Sequence, residues 1–129
     1  MAFSAKSLNK FNQWSFIPDY SFDNPDNYHK PAELYAENGP DCVYVIRGAF
    51  IGTRSKFVNK ISKKRESPVL ILDEFLVNAP ENQIEEIREL IENPEAHDAV
   101  DGELVGFTIR QYHNSTYNKD CYAIDFCDL

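Results

Sequence analysis

The chain has 129 residues, 43% of them apolar, and a formal charge of −8. That length suits one domain able to bury about two-thirds of its unfolded surface, and seventeen aromatic residues (nine Phe, seven Tyr, one Trp) argue against a disordered polyanion. Apolar runs such as 69–72 and 75–77 are far too short to span a membrane, and residues 1–13 hold no apolar stretch of the kind a secretory signal needs, so a cytoplasmic protein is expected.

Residues 1–41 carry Phe3, Phe11, Trp14, Phe16, Tyr20, Phe22, Tyr28 and Tyr35 with Pro18, Pro25, Pro31 and Pro40 between them. No period of 2 or 3.6 persists, and proline removes backbone donors. The pattern predicts an irregular aromatic arm packed on a body formed by residues 42–129. A sharper reading has the arm bind a partner or a base.

Residues 42–53 are rich in β-branched and aromatic side chains and predict a strand. Gly48 and Gly52 interrupt it, as expected where a long strand bends to join two sheet layers. Residues 54–65 continue as a second strand near 55–59 or as loop. Residues 69–77 read as either one strand or two short ones folded at Asp73-Glu74, and one kinked strand is favoured because a two-residue hairpin prefers Gly or Asn there.

A helix is predicted over about 79–93. Asn78 would cap it with Glu81, Pro80 would occupy the first turn, and Ile84, Ile87, Leu90 and Ile91 form one apolar stripe. Asn93-Pro94 ends it, with a short turn over 94–100. Two strands close the chain: Val105, Phe107 and Ile109 alternate with polar or small residues over 103–113, as do Tyr122, Ile124 and Phe126 over 121–127. The loop 114–120 makes them a hairpin.

Five strands with one helix between the third and fourth define an α+β domain. It is either an antiparallel OB-like barrel or an open sheet with one packed helix, preceded by the irregular arm. That order, not any family motif, carries the barrel reading.

Charge is sharply segregated. Seven of the thirteen basic residues (Arg47, Arg54, Lys56, Lys60, Lys63, Lys64 and Arg65) fall within 47–65 with no acid among them. Residues 66–106 then hold twelve acids against Arg88 alone. Such a field orients a molecule on a polyanion or on a basic partner.

The leading expectation is a non-enzymatic module that holds single-stranded DNA or RNA. Arg54, Lys56, Lys60, Lys63, Lys64 and Arg65 would contact phosphates from a basic loop, Phe50 and Phe57 would stack bases, and Arg47 would stand at the groove wall. The plain alternative is a solvated loop that balances the acidic surface.

The rival expectation places the contact on the acidic helix. There Glu81, Glu85, Glu86, Glu89 and Glu92 would imitate phosphates and dock on a basic protein, as an inhibitor of a nucleic-acid enzyme carried by a phage or mobile element would. A symmetric homodimer that pairs the two charged segments is a further partner reading.

Catalysis finds little support. Asp73-Glu74, Asp98, Asp101, His97 and His113 match no catalytic or metal-binding spacing, and neither metal nor cofactor is expected. Cys121 and Cys127 would lie about 20 Å apart on an extended strand, too far to bridge. Reduced thiols are therefore expected for these and Cys42. Tyr112, Tyr117 and Tyr122 read as core and rim of the last hairpin, or as a stacking platform.

Overall fold

The computed structural model describes the backbone of residues 14–58 and 61–129, and the side chains of 14–52 and 66–129. The chain is α+β. Its elements run β1 (Tyr28–His29), α1 (Pro31–Asn38), β2 (Tyr44–Val45), β3 (Gly48–Val58), β4 (Ile61–Ile71), β5 (Leu76–Asn78), α2 (Ile84–Glu92), α3 (Pro94–Asp101), β6 (Val105–Asn114) and β7 (Lys119–Asp128). One sheet has the order β1-β5-β4-β3 and the other β2-β6-β7. The β1–β5 pair is parallel and the remaining pairs are antiparallel.

The closed barrel is corrected. Among the described residues no ladder joins the two sheets, and each keeps two edge strands. The change of sheet falls at Ile46–Arg47, not at the glycines: Gly48 and Gly52 pair with β4 in an uninterrupted register. Ile46 donates its N–H to the Val105 carbonyl of one sheet (3.0 Å), and Arg47 donates to the Ile71 carbonyl of the other (2.8 Å). One stretch of chain thus serves both sheets.

The single kinked strand over 69–77 is also corrected. It folds as a hairpin, with Leu70 opposite Val77 and Ile71 opposite Leu76. Neither Asp73 nor Glu74 has a positive φ, so the glycine-type turn is not used. Contacts from elsewhere hold it instead. The Tyr20 hydroxyl donates to the Leu72 carbonyl (2.6 Å) and lies 3.1 Å from that of Phe75, and Arg47 pairs with Asp73. Burial pushes the Tyr20 hydroxyl well above its ordinary pKa, and the charge of Asp73 adds to the shift.

The one-helix expectation becomes three α-helices among the described residues. Within the supposedly irregular arm, Pro31 starts α1 and Gly39 ends it with φ 78°, donating its N–H to Tyr35 (2.8 Å). Leu34 anchors α1 in the core. Residues 94–101 form α3, capped by Asn93, whose Oδ1 accepts from the amides of Glu95 (2.9 Å) and Ala96 (3.3 Å).

The expected cap at Asn78 is absent. Asn78 ends β5, its Oδ1 is buried without a hydrogen-bond partner, and the chain enters α2 through a 3₁₀ turn at Glu81–Gln83. The apolar stripe of α2 behaves as predicted: Ile87 and Leu90 are buried, and the helix packs on β3 and β4.

The final hairpin matches the alternation. Phe107, Ile109 and Ile124 are buried, with Phe107 opposite Phe126 and Ile109 opposite Ile124. Asn114 Oδ1 accepts from the amides of Thr116 and Tyr117 to close the turn, and Asn118 supplies its left-handed residue at φ 49°.

Tertiary contacts bind the described part of the arm. The Trp14 ring lies over Gly48, its Nε1–H donates to the Ala49 carbonyl (2.9 Å), and His97 stacks on it at 4.0 Å. Ser15 donates its amide (2.6 Å) and hydroxyl (2.7 Å) to Asp101.

Candidate nucleic-acid interface and acidic surface

The basic segment is not a loop over 53–58 and 61–65: its backbone forms the outer part of the β3–β4 hairpin. β5 pairs with β4 only at 69–71, and Pro68, which has no N–H, follows outward. Beyond that point, among the described residues, β3 and β4 pair only with each other, as a two-stranded ribbon. The register sets Arg54 opposite Arg65, Lys56 opposite Lys63, Ser55 opposite Lys64 and Phe57 opposite Ser62. The side chains of Arg54, Lys56, Phe57, Lys63, Lys64 and Arg65, and the whole of Lys60, lie outside the described residues.

The remaining two predicted contact residues are already engaged. Arg47 is only 21% exposed, pairs with Asp73 and with Glu103 (3.4 Å), and sits 4.4 Å over the Phe16 ring. Phe50 is 7% exposed, with Phe22 stacked on it at 5.4 Å. A base would have to displace Phe22 to reach that ring.

Glu81, Glu85, Glu86, Glu89 and Glu92 are all exposed along the 3₁₀ turn and α2. Glu85 lies 3.7 Å from Arg88, Glu86 accepts from Gln83 (2.8 Å) and Glu89 from Asn93 (2.6 Å). Arg88 turns toward the sheet and donates to Glu66 (3.0 Å) at the root of the ribbon. That bond, with Glu85 and Glu92 nearby, raises the guanidinium pKa. The acidic helix therefore runs beside the root of the basic ribbon, joined to it through Arg88.

One clamp gave no sequence signal. Gln83 donates to the Ile124 carbonyl and accepts from the Ile124 amide, both at 2.8 Å. Its side-chain amide thus occupies two backbone positions on the free edge of β7.

The groups considered for catalysis have structural neighbours. His97 lies against Trp14, Asp101 accepts from Ser15, and His113 is 3.3 Å from Asp120. Among the described residues no three His, Cys, Asp or Glu side chains gather as a metal site. Cys42, Cys121 and Cys127 are unbridged and half-buried. Tyr122 packs on Tyr35 (5.4 Å), Tyr112 lies under Arg110 (5.7 Å) and Tyr117 is 72% exposed, so the three rings form no shared platform. Among the described residues no helix is long and apolar enough to cross a membrane.

Comparison with protein-family models, curated proteins and solved structures finds no match to this chain.

Proposed function

We propose that this is a small binding protein that holds single-stranded nucleic acid along the β3–β4 ribbon. One observation supports the reading above others: Arg54 is opposite Arg65, and Lys56 opposite Lys63, at alternate positions of a ribbon with no third strand among the described residues. Like charges directly opposite in a sheet destabilise the pairing. A phosphate backbone along the ribbon would turn that repulsion into attraction and release counterions. Arg54, Lys56, Lys60, Lys63, Lys64 and Arg65 are the phosphate contacts in this reading, and Phe57 the stacking ring. Arg47 and Phe50 are left out because Asp73, Glu103 and Phe22 already hold them.

Fluorescence anisotropy with a labelled single-stranded oligonucleotide tests it. Six neutralised phosphates give a slope of log K against log salt near −4, or about 300-fold weaker binding from 50 to 200 mM. Replacing Lys63, Lys64 and Arg65 with Ala should halve the slope, to roughly −2. Affinity indifferent to both salt and the triple change would end the proposal.

The second reading, an acidic surface that docks on a basic protein such as a nucleic-acid enzyme, is favoured by the five exposed carboxylates of residues 81–92. A partner captured from host lysate by the wild-type protein and lost on Glu85/Glu86/Glu89→Lys would support it. Capture indifferent to those changes would count against it.

A further inference from the structure

A groove of about 330 Å³ lies between α1, β2 and the β4–β5 turn. Residues far apart in the chain build it. Leu34, Tyr44, Leu72 and Phe75 supply apolar walls, and Val43, 49% exposed, stands at the rim. Glu37 and Glu74 are exposed at its mouth with no described ion pair, whereas Asp73 is taken by Arg47. Among the described residues, the basic-type group in the lining is His29, whose ring lies 4.5 Å from that of Phe75.

β2 is an edge strand, and its hydrogen-bond phase decides what this groove presents. Ile46 donates to Val105, so Ile46 and Val105 form a hydrogen-bonded pair. Alternation then makes Val45 and Gly106 a non-bonded pair. The Val45 N–H and C=O therefore point away from β6, to the side on which Arg47 bonds Ile71, and among the described residues no strand pairs with Val45 there. An unpaired edge beside an apolar groove is the arrangement that accepts an added strand, with main-chain bonds giving affinity and the groove selecting alternate side chains.

We propose that this groove binds an extended basic peptide segment of a partner protein, which pairs with β2 at Val45. Its apolar side chains would enter between Leu34, Leu72 and Phe75, and its cations would meet Glu37 and Glu74. The uncompensated carboxylates choose this occupant: they repel nucleic acid and acidic peptides and attract a cationic strand. The site is separate from the ribbon and does not depend on it for its function.

The test uses the full chain, labelled with ¹⁵N, and an acetylated, amidated Lys-Val-Lys-Val-Lys peptide. Amide shifts should map to 43–47, the end of α1 and 72–75. Glu37→Lys with Glu74→Lys should weaken binding about tenfold or more, since both replace attraction with repulsion. A Glu-Val-Glu-Val-Glu peptide, and a Lys-Val peptide methylated at the valine nitrogens, should not bind. Val45→Pro removes the edge donor at a position where proline is tolerated, and should abolish binding while the β6–β7 resonances stay in place. Shifts centred on 81–92, or equal binding of the methylated peptide, would overturn the proposal. Concentration-dependent shifts at the groove without peptide, removed by the same charge reversals, would assign it to a second copy and overturn it as well.

Discussion

Gly48→Ala tests how the arm is fastened. A Cβ at position 48 would lie 2.9 Å from Cγ and 3.0 Å from Cδ1 of Trp14, and 3.1 Å from Cδ1 of Ile71. The indole cannot yield cheaply, because its atoms nearest the new methyl are close to the root of the side chain. Its Nε1–H is bonded to Ala49, and His97 lies flat on its face. Overpacking of this kind costs about 1–3 kcal/mol, and loss of the Trp14 hydrogen bond adds about 1 kcal/mol. Alanine returns about 0.4–1 kcal/mol by restricting the unfolded chain. The balance is a destabilisation of about 1–3.5 kcal/mol. With a urea m-value of about 2 kcal/mol per molar, the midpoint should fall by roughly 0.5–2 M.

Trp14 is the only tryptophan, so its fluorescence reports its own seat. Urea titration followed by emission and by far-UV circular dichroism should show the lower midpoint. The emission maximum should already be red-shifted in buffer, as a ring moved from 4% exposure toward water requires. Gly52→Ala is the control: its Cβ would meet only Ser67 O at 3.7 Å and Phe50 Cε2 at 3.8 Å, so stability should hold or rise slightly. An unchanged midpoint and emission for Gly48→Ala would refute the seating of Trp14 on this glycine.

Two further outcomes follow from the described contacts. Gln83→Ala strips both 2.8 Å bonds from Ile124 and should cost about 1–3 kcal/mol. Hydrogen exchange at the Ile124 amide should accelerate beyond that at its β7 neighbours, and unchanged protection would show that Gln83 is not the clamp. Asp101 is held below the ordinary carboxylate pKa, chiefly by the Ser15 hydroxyl and then by the Ser15 amide. A depressed native pKa contributes stability above the unfolded value of about 3.9, which is lost as pH falls through the native value. Asp101→Asn should therefore flatten the acid side of the stability curve, from about pH 5 downward, in thermal melts. An identical acid limb in the variant would contradict this role.

Where a pattern repeats along the chain, the reading from residues matches the structure. Alternation at 105, 107 and 109 and at 122, 124 and 126 placed the last hairpin. The stripe Ile84, Ile87, Leu90 and Ile91 placed α2, although its start came later than expected because Asn78 belongs to a strand. The turn at Asp73-Glu74 was illegible because distant Tyr20 and Arg47 hold it, in place of a local glycine. Leu34 anchors α1 against the core among scattered prolines and aromatics, with no long period to announce it. The availability of Arg47 and Phe50 was equally hidden, since partners at Asp73, Glu103, Phe16 and Phe22 decide it.

By itself the amino-acid order determines the separation of cations at 47–65 from acids at 66–106, the α+β character, one amphipathic helix and the terminal hairpin. Each of these is a charge run or a short-period pattern, carried by neighbouring residues. Tertiary structure alone decides that one stretch of chain passes between two open sheets at Ile46–Arg47, and that the basic backbone stands as a ribbon whose root lies beside the acidic helix. It also decides that β2 is an end strand of its sheet beside a groove, among the described residues. Those features depend on pairings between residues tens of positions apart, whose energies no local pattern records.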